Sequence, residues 1–244
     1  VYNAGVVSYV SGQELSLLLH TLTDYNPDLV IVYDGGNDVF NPYNYDPRPG
    51  YPLNFIVYEE GFDLIGGKDV RLSQYLSLIL YKSRTIRILI GRSLRENLVS
   101  LAQHRRQSGY RSDNWEEEIV DEYINNLEKM CGIAKGFDFK ITVILQPLIY
   151  FKRPLVRDEH RLVVMSGEKS RAYVGKQYDR IREHFRSLEK QHLKDGRCYF
   201  LDLSDAMDGY QEEAYLDFIH TNDLGNEFLA SRIYSHIKEV LPGI

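Results

Sequence analysis

The chain of 244 residues is 43% hydrophobic, with 18 glycines and 8 prolines, enough for one substantial core in a single domain over residues 1–244. Twenty-nine basic against thirty-five acidic residues leave a net charge of −6, which argues against a general phosphate-backbone binder and sets nucleic acid aside as a partner. No apolar run approaches the roughly 18 residues that span a bilayer, so no membrane span is expected.

Residues 1–4 read as the end of a strand. Ser11 then opens a helix with the capping-box pattern Ser11-x-x-Glu14, and Leu15, Leu18, Leu19 and Leu22 follow at helical spacing. Asn26-Pro27 ends that helix near Tyr25. Residues 29–33 are a continuous apolar, partly β-branched run that suits a strand buried on both faces of a parallel sheet. The run stops at Asp34-Gly35-Gly36-Asn37-Asp38, where two glycines permit a sharp turn. Residues 40–67 are rich in Asn, Pro, Tyr and Gly without sustained periodicity and read as a long excursion over the sheet edge, of a length that suits a lid. Residues 69–104 predict helix in two pieces, and residues 114–135 predict one helix with Val120, Ile124, Leu127, Cys131 and Ala134 as its buried stripe. A core strand over 139–145 is closed by Gln146-Pro147, and residues 148–167 form a second long loop. A helix follows with the stripe Val174, Tyr178, Ile181, Phe185, Leu188 and His192, then a strand over 198–203 and a closing helix over 224–241. This alternation predicts an α/β domain with helices on both faces of a parallel sheet.

Cys131 and Cys198 lie 67 positions apart with no CxxC pair, a spacing that suggests neither a zinc site nor a disulfide framework and reads them as buried small apolar residues. His192 reads as a packed core histidine, and His20, His104, His160, His184 and His236 show no ligand spacing, so neither a metal nor an organic cofactor is expected. Residues 82–111 hold eight basic side chains against the single acid Glu96, and residues 113–128 are strongly acidic. The pattern fits a solvated face partly neutralised by the acidic helix after it. The other reading is a basic, Leu/Ile-rich helix that lies on a membrane surface or receives an anionic substrate. The tyrosines between 43 and 58 fit both sugar stacking and amphipathic filler beneath loops.

Ligands of open α/β sheets bind beyond the carboxyl ends of the strands. Three segments pass that filter: Asn3-Ala4-Gly5, Gly35-Gly36-Asn37-Asp38 and Asp217-Phe218-Ile219-His220. An Asp three residues before a His in a turn can fold its carboxylate back to the imidazole Nδ1–H and leave Nε2 as a base. An Asn amide and a Gly backbone N–H are suitable donors to a developing oxyanion. Each segment alone also fits a plain turn.

As an ordered set, the three segments resemble blocks II, III and V of the SGNH (GDSL-type) hydrolases, over nearly the whole chain. The resemblance implies a flavodoxin-like three-layer α/β/α sandwich, an oxyanion hole of the Gly5 N–H and the Asn37 side chain, and His220 as base supported by Asp217. The family's nucleophilic serine lies in a Gly-Asp-Ser turn after the first sheet strand, and this sequence contains no Gly-Asp-Ser. The family pattern therefore implies a chain that opens at the second strand, without the first strand and the nucleophile. Ser8 and Ser11 are the hydroxyls nearest Gly5, but Ser11 reads as a helix cap and neither sits in a Gly-x-Ser-x-Gly elbow. The function implied is an ester hydrolase that removes an acyl group, acetyl among them, from a carbohydrate or lipid-like substrate, with a small-molecule or saccharide ester as partner. An O-acyltransferase on the same fold and a non-catalytic binding or scaffold protein with a degenerate hydrolase fold are the alternatives. Cytoplasmic and periplasmic or secreted placements stay equally open.

Overall fold

Three strands, β1 (Leu29–Asp34), β2 (Lys140–Leu145) and β3 (Cys198–Asp202), form one parallel sheet in the order β1-β2-β3. The computed structural model describes residues 1–66, 71–192 and 194–241. β2 is central, pairing Val32 with Val143 on one side and Val143 with Phe200 on the other. Its residues Ile141, Val143, Ile144 and Leu145 are buried, as a strand with neighbours on both sides and helices on its faces requires.

β1 departs from the expected double burial: Val32 is buried, but Ile31 and Tyr33 are exposed. The reason is its position, because among the described residues no strand pairs with its outer edge. Residues 1–4, expected to end a strand, are irregular, and Val1, Tyr2 and Asn3 are exposed.

Ten α-helices are present among the described residues. α1 (Ser11–His20) precedes β1, and α2 (Gly36–Asn44), α3 (Phe55–Gly66), α4 (Leu72–Tyr81), α5 (Arg84–Leu98), α6 (Leu101–Gln107) and α7 (Asp113–Gly136) lie between β1 and β2. α8 (Glu159–Met165) and α9 (Glu168–His192) connect β2 to β3, and α10 (Asp223–Val240) closes the chain. The stripes of α7 and α9 pack as the periodicity predicts: Leu127, Met130, Ala134, Tyr178 and Ile181 are wholly buried in the main core.

The excursion over 40–67 is not irregular, since it holds the end of α2 and all of α3. Aromatic side chains fasten it to the helices behind. Tyr43 stacks on Tyr173 at 4.4 Å, the Trp115 indole N–H donates to the Pro47 carbonyl at 2.6 Å, and the Tyr110 hydroxyl donates to the Tyr43 carbonyl at 2.6 Å. Tyr43 is therefore filler of the amphipathic kind, its ring buried and its hydroxyl accepting from Arg111. The helix expected in two pieces before residue 104 is three, α4 to α6, and Ile90 leaves helical geometry within α5. The parts of these expected segments at residues 67–70 lie outside the described residues. The loop expected over 148–167 contains a 3₁₀ turn at Ile149–Phe151 and α8.

Cys131 and Cys198 are buried as expected, but they are joined as a disulfide with Cα atoms 5.4 Å apart. Tertiary packing of α7 on the sheet brings together residues whose spacing carried no signal. His192 lies beside them, half-buried and within 6.0 Å of the Phe200 ring, in keeping with a packing role. Among the described residues no ion pair joins the basic segment to the acidic helix, and Asp113 and Glu116 of α7 pair with Lys176 and Arg180 of α9.

Candidate functional site

The carboxyl ends of β1 and β2 and the loop before α10 converge at one edge of the sheet. After β1 the chain turns through Gly35, whose φ of +105° excludes most side chains and whose Cα faces Leu145 and Tyr123. Gly36 then starts α2 in direct apposition to Ile219, and a Cβ there would overlap the Ile219 Cδ1 and crowd the Gln146 amide at 2.7 Å. Phe40, one turn further, stacks on Phe218 at 4.3 Å. The glycine-rich segment and the Asp-x-x-His segment, about 180 residues apart in sequence, are thus packed together through Gly36–Ile219 and Phe40–Phe218.

The loop before α10 is pinned at several points. The Ile149 N–H donates to the Phe218 carbonyl at 3.1 Å, Leu216 donates to the His220 carbonyl at 2.8 Å, and Tyr215 and Thr221 form an antiparallel bridge. Asn222 caps α10 by accepting from the Gly225 N–H at 2.9 Å. Within this frame Asp217 Oδ1 accepts from the Ile219 and His220 backbone N–H groups at 2.9 and 2.7 Å, and Asp217 Oδ2 lies 2.7 Å from His220 Nδ1. Partial burial pushes the Asp217 carboxyl up, but the His220 ring and the two backbone donors outweigh it and hold the group below its usual range. His220 is three-quarters exposed, with its side chain at 75%, so its ring is open to a ligand.

The other two expected participants are engaged elsewhere. Asn37 Nδ2 donates to the Tyr9 carbonyl at 2.9 Å, and the exposed Gly5 N–H donates to its neighbour Asn3 at 3.0 Å. Asn37 retains a second amide hydrogen, which the Tyr9 contact leaves uncommitted. Ser11 is not the N-cap of α1: Val10 holds that position, its side chain accepts nothing, and only the Gln13 side chain reaches back, accepting from the Val10 N–H at 3.3 Å. The Ser11 hydroxyl is wholly buried and donates to Asp38 Oδ1 at 2.6 Å, while its N–H also donates to that carboxylate. Asp38 therefore supplies from α2 the acceptor for the Ser11 N–H at the start of α1. Ser8 sits at φ 63° in the turn before α1.

Sequence reasoning missed the buried acids under this edge. Asp34 accepts from the Tyr123 hydroxyl at 2.7 Å, and with Glu14 and Asp38 it makes a three-carboxyl cluster. Burial, with the charge of Asp34 adding to it, pushes Asp38 up to about 8; burial likewise pushes Glu14 up to about 7 and raises Asp34 well above the carboxylate range. Each raised group holds its proton in the folded chain at pH values where the unfolded chain has released it. Its contribution to stability is complete below the unfolded value and is lost as pH rises towards the folded one, so the part owed to Glu14 and Asp38 falls between about pH 4 and pH 8. Urea unfolding across that range should show the decline, and Asp38→Asn, which keeps an acceptor for Ser11, should flatten it while costing about 1 kcal/mol or less at pH 5. An unchanged slope in that variant would clear Asp38 as its source.

Tyr150 and Lys152 were also missed, because residues 148–167 read as a loop. The Tyr150 ring lies 6.3 Å from Phe218. Lys152 is wholly buried and paired at 2.5 Å with Glu159, whose other oxygen accepts from the Ala214 N–H at 2.9 Å at the start of the site loop. The Gly36 contact yields a direct test: Gly36→Ala should cost about 1–3 kcal/mol through the overlap with Ile219, and Ile219→Ala in the same chain should recover part of it. Additive losses in the double variant would show that the two segments do not press on one another.

No family model, curated protein or solved structure matches the chain.

Proposed function

We propose that the protein is an ester hydrolase of the SGNH type, acting on an acylated carbohydrate or lipid-like substrate. The observation that carries this reading is the Asp217–His220 pair. A carboxylate fixed by two backbone donors fixes the imidazole tautomer in turn, and the exposed ring presents Nε2 to a substrate. In this reading Nε2 takes the proton from a serine hydroxyl as that oxygen attacks the acyl carbon, then returns it to the leaving alcohol oxygen. Asn37 and Gly5 are the donors to the tetrahedral oxyanion, which requires the Gly5 N–H to exchange Asn3 for that oxygen. Ser11 is not the nucleophile, since its buried hydroxyl is committed to Asp38. The finer fold of the proposal is the flavodoxin-like sandwich. In its strand order 2-1-3-4-5, β1, β2 and β3 stand as the last three, and the free edge of β1 is where a first strand bearing the serine fits.

One observation favours a non-catalytic binding module: both oxyanion donors already have partners within the chain. The test is hydrolysis of p-nitrophenyl acetate and of acetylated saccharides by a polypeptide that joins residues 1–244 to a serine-bearing strand, with free acetate and acetylated acceptor measured separately. Acetate release that requires His220 supports the hydrolase, and acetyl recovered on a sugar hydroxyl supports the acyltransferase. Saccharide binding without turnover supports the binding module. Residues 1–244 alone should show no His220-dependent hydrolysis.

A further inference from the structure

The hairpin of α4 and α5 is built inside out. Its polar side chains face inward: Gln74 and Ser77 of α4 are buried, Gln74 Nε2 donates to the Leu98 carbonyl and the Ser100 hydroxyl at 3.0 and 3.1 Å, and Asn97 donates to the Ser77 hydroxyl at 2.8 Å and the Ser73 carbonyl at 2.9 Å. Its apolar side chains face outward, with Ile79 64%, Ile88 76% and Leu89 75% exposed and Leu72, Leu76 and Ile90 beside them. A helix pair in water buries its apolar stripe and solvates its polar one. This pair does the reverse, and its fold is held by interhelical hydrogen bonds, which an apolar surrounding strengthens.

The charge around the apolar surface says what that surrounding is. Lys82, Arg84 and Arg87 crowd the closed end of the hairpin, all exposed, next to Ile79, Ile88 and Leu89. The hairpin's sole acid, Glu96, is paired with Arg92 at 3.0 Å. Asp113 and Glu116 of α7 pair with α9, and among the described residues no acidic side chain forms an ion pair with Lys82, Arg84 or Arg87. No helix among the described residues is long and apolar enough to cross a membrane, and a ten-residue helix such as α4 covers only about 15 Å against a hydrocarbon core of about 30 Å. We propose that the closed end of the α4–α5 hairpin inserts its leucines and isoleucines into the interface of an anionic bilayer, with Lys82, Arg84 and Arg87 on the phosphate groups. The proposal is independent of the esterase reading and places the domain at a lipid surface, whichever substrate it takes.

The test is co-flotation of the 244-residue chain with vesicles of phosphatidylcholine alone or with about one-third phosphatidylglycerol. Three basic groups at the surface should make association with the anionic vesicles roughly 100-fold stronger, and high salt should remove most of that advantage. Ile88→Asp with Leu89→Asp, both at exposed positions and checked for an unchanged circular dichroism spectrum, should abolish binding. Leu89→Trp gives a positive readout: its emission should shift to the blue on anionic vesicles and be quenched by brominated acyl chains, while native Trp115 is buried and constant. No vesicle association, equal association with both lipids, or binding that survives the double Asp variant would overturn the proposal. So would a dimer in solution that the same substitutions dissociate, because a second copy would then be what covers the surface.

Discussion

On the hydrolase reading proposed above, in a polypeptide that joins residues 1–244 to a serine-bearing strand, His220→Ala should lower kcat for an acyl ester by about 10⁴-fold, the loss expected when the base of a nucleophile–imidazole–carboxylate set is removed. Asp217→Asn should follow the same direction with a smaller loss, of order 10²–10⁴-fold. The neutral amide that replaces the carboxylate brings no charge to hold the Nδ1–H, and the ring is free to adopt the tautomer that places the proton on Nε2. KM should be nearly unchanged in both variants, since neither side chain is asked to bind the ground state. An Asp217→Asn protein that loses affinity and keeps its turnover number would contradict the orienting role. Long-range ¹H–¹⁵N NMR of His220 checks the same point without substrate: the wild-type ring should carry its proton on Nδ1 at neutral pH, and the Asp217→Asn variant should show the other tautomer or a mixture.

How much of this was legible in the sequence follows from which forces set each feature. The three strands were readable as apolar runs, although the burial expected for the first holds only in part, and α7 and α9 were readable because their apolar periodicity is the same pattern their burial requires. The Asp217–His220 bond was readable because it is local, closed within one turn. What failed was non-local or inverted. Ser11 carried a cap signature, but Asp38, 27 residues away, satisfies the helix start instead. The disulfide depends on how α7 packs on β3, and the Lys152–Glu159 pair on how α8 meets the loop after β2, which no spacing rule encodes. The basic, Leu/Ile-rich segment read from sequence left a solvated face and a membrane-facing one both open, and burial shows Ile88 and Leu89 exposed beside its basic residues. Residues 1–4 read as strand on composition, yet a strand needs a paired neighbour, and the described residues offer none beside β1.

Glu159→Ala should be the most destabilising single change in the chain, at about 3–5 kcal/mol. The substitution leaves the Lys152 ammonium at 0% exposure with only the Pro154 carbonyl as partner, and it strands the N–H groups of Val156 and Ala214 that Glu159 now receives. Against a typical domain stability of about 5–15 kcal/mol, such a loss is a large fraction of the whole. It should appear in urea titrations as a lower midpoint with an unchanged slope. The same carboxylate ties α8 to Ala214, three residues before Asp217, so the site should loosen along with the fold. Pairing Lys152→Met with Glu159→Leu separates the two effects: burying apolar groups in place of the ion pair should restore most of the stability, because no unpaired charge remains. The Ala214 N–H stays unsatisfied in that double variant, so the Asp217–His220 tautomer signal should still broaden. A double variant that regains both stability and a sharp His220 signal would show that Glu159 supports the core alone and has no part in holding the site loop.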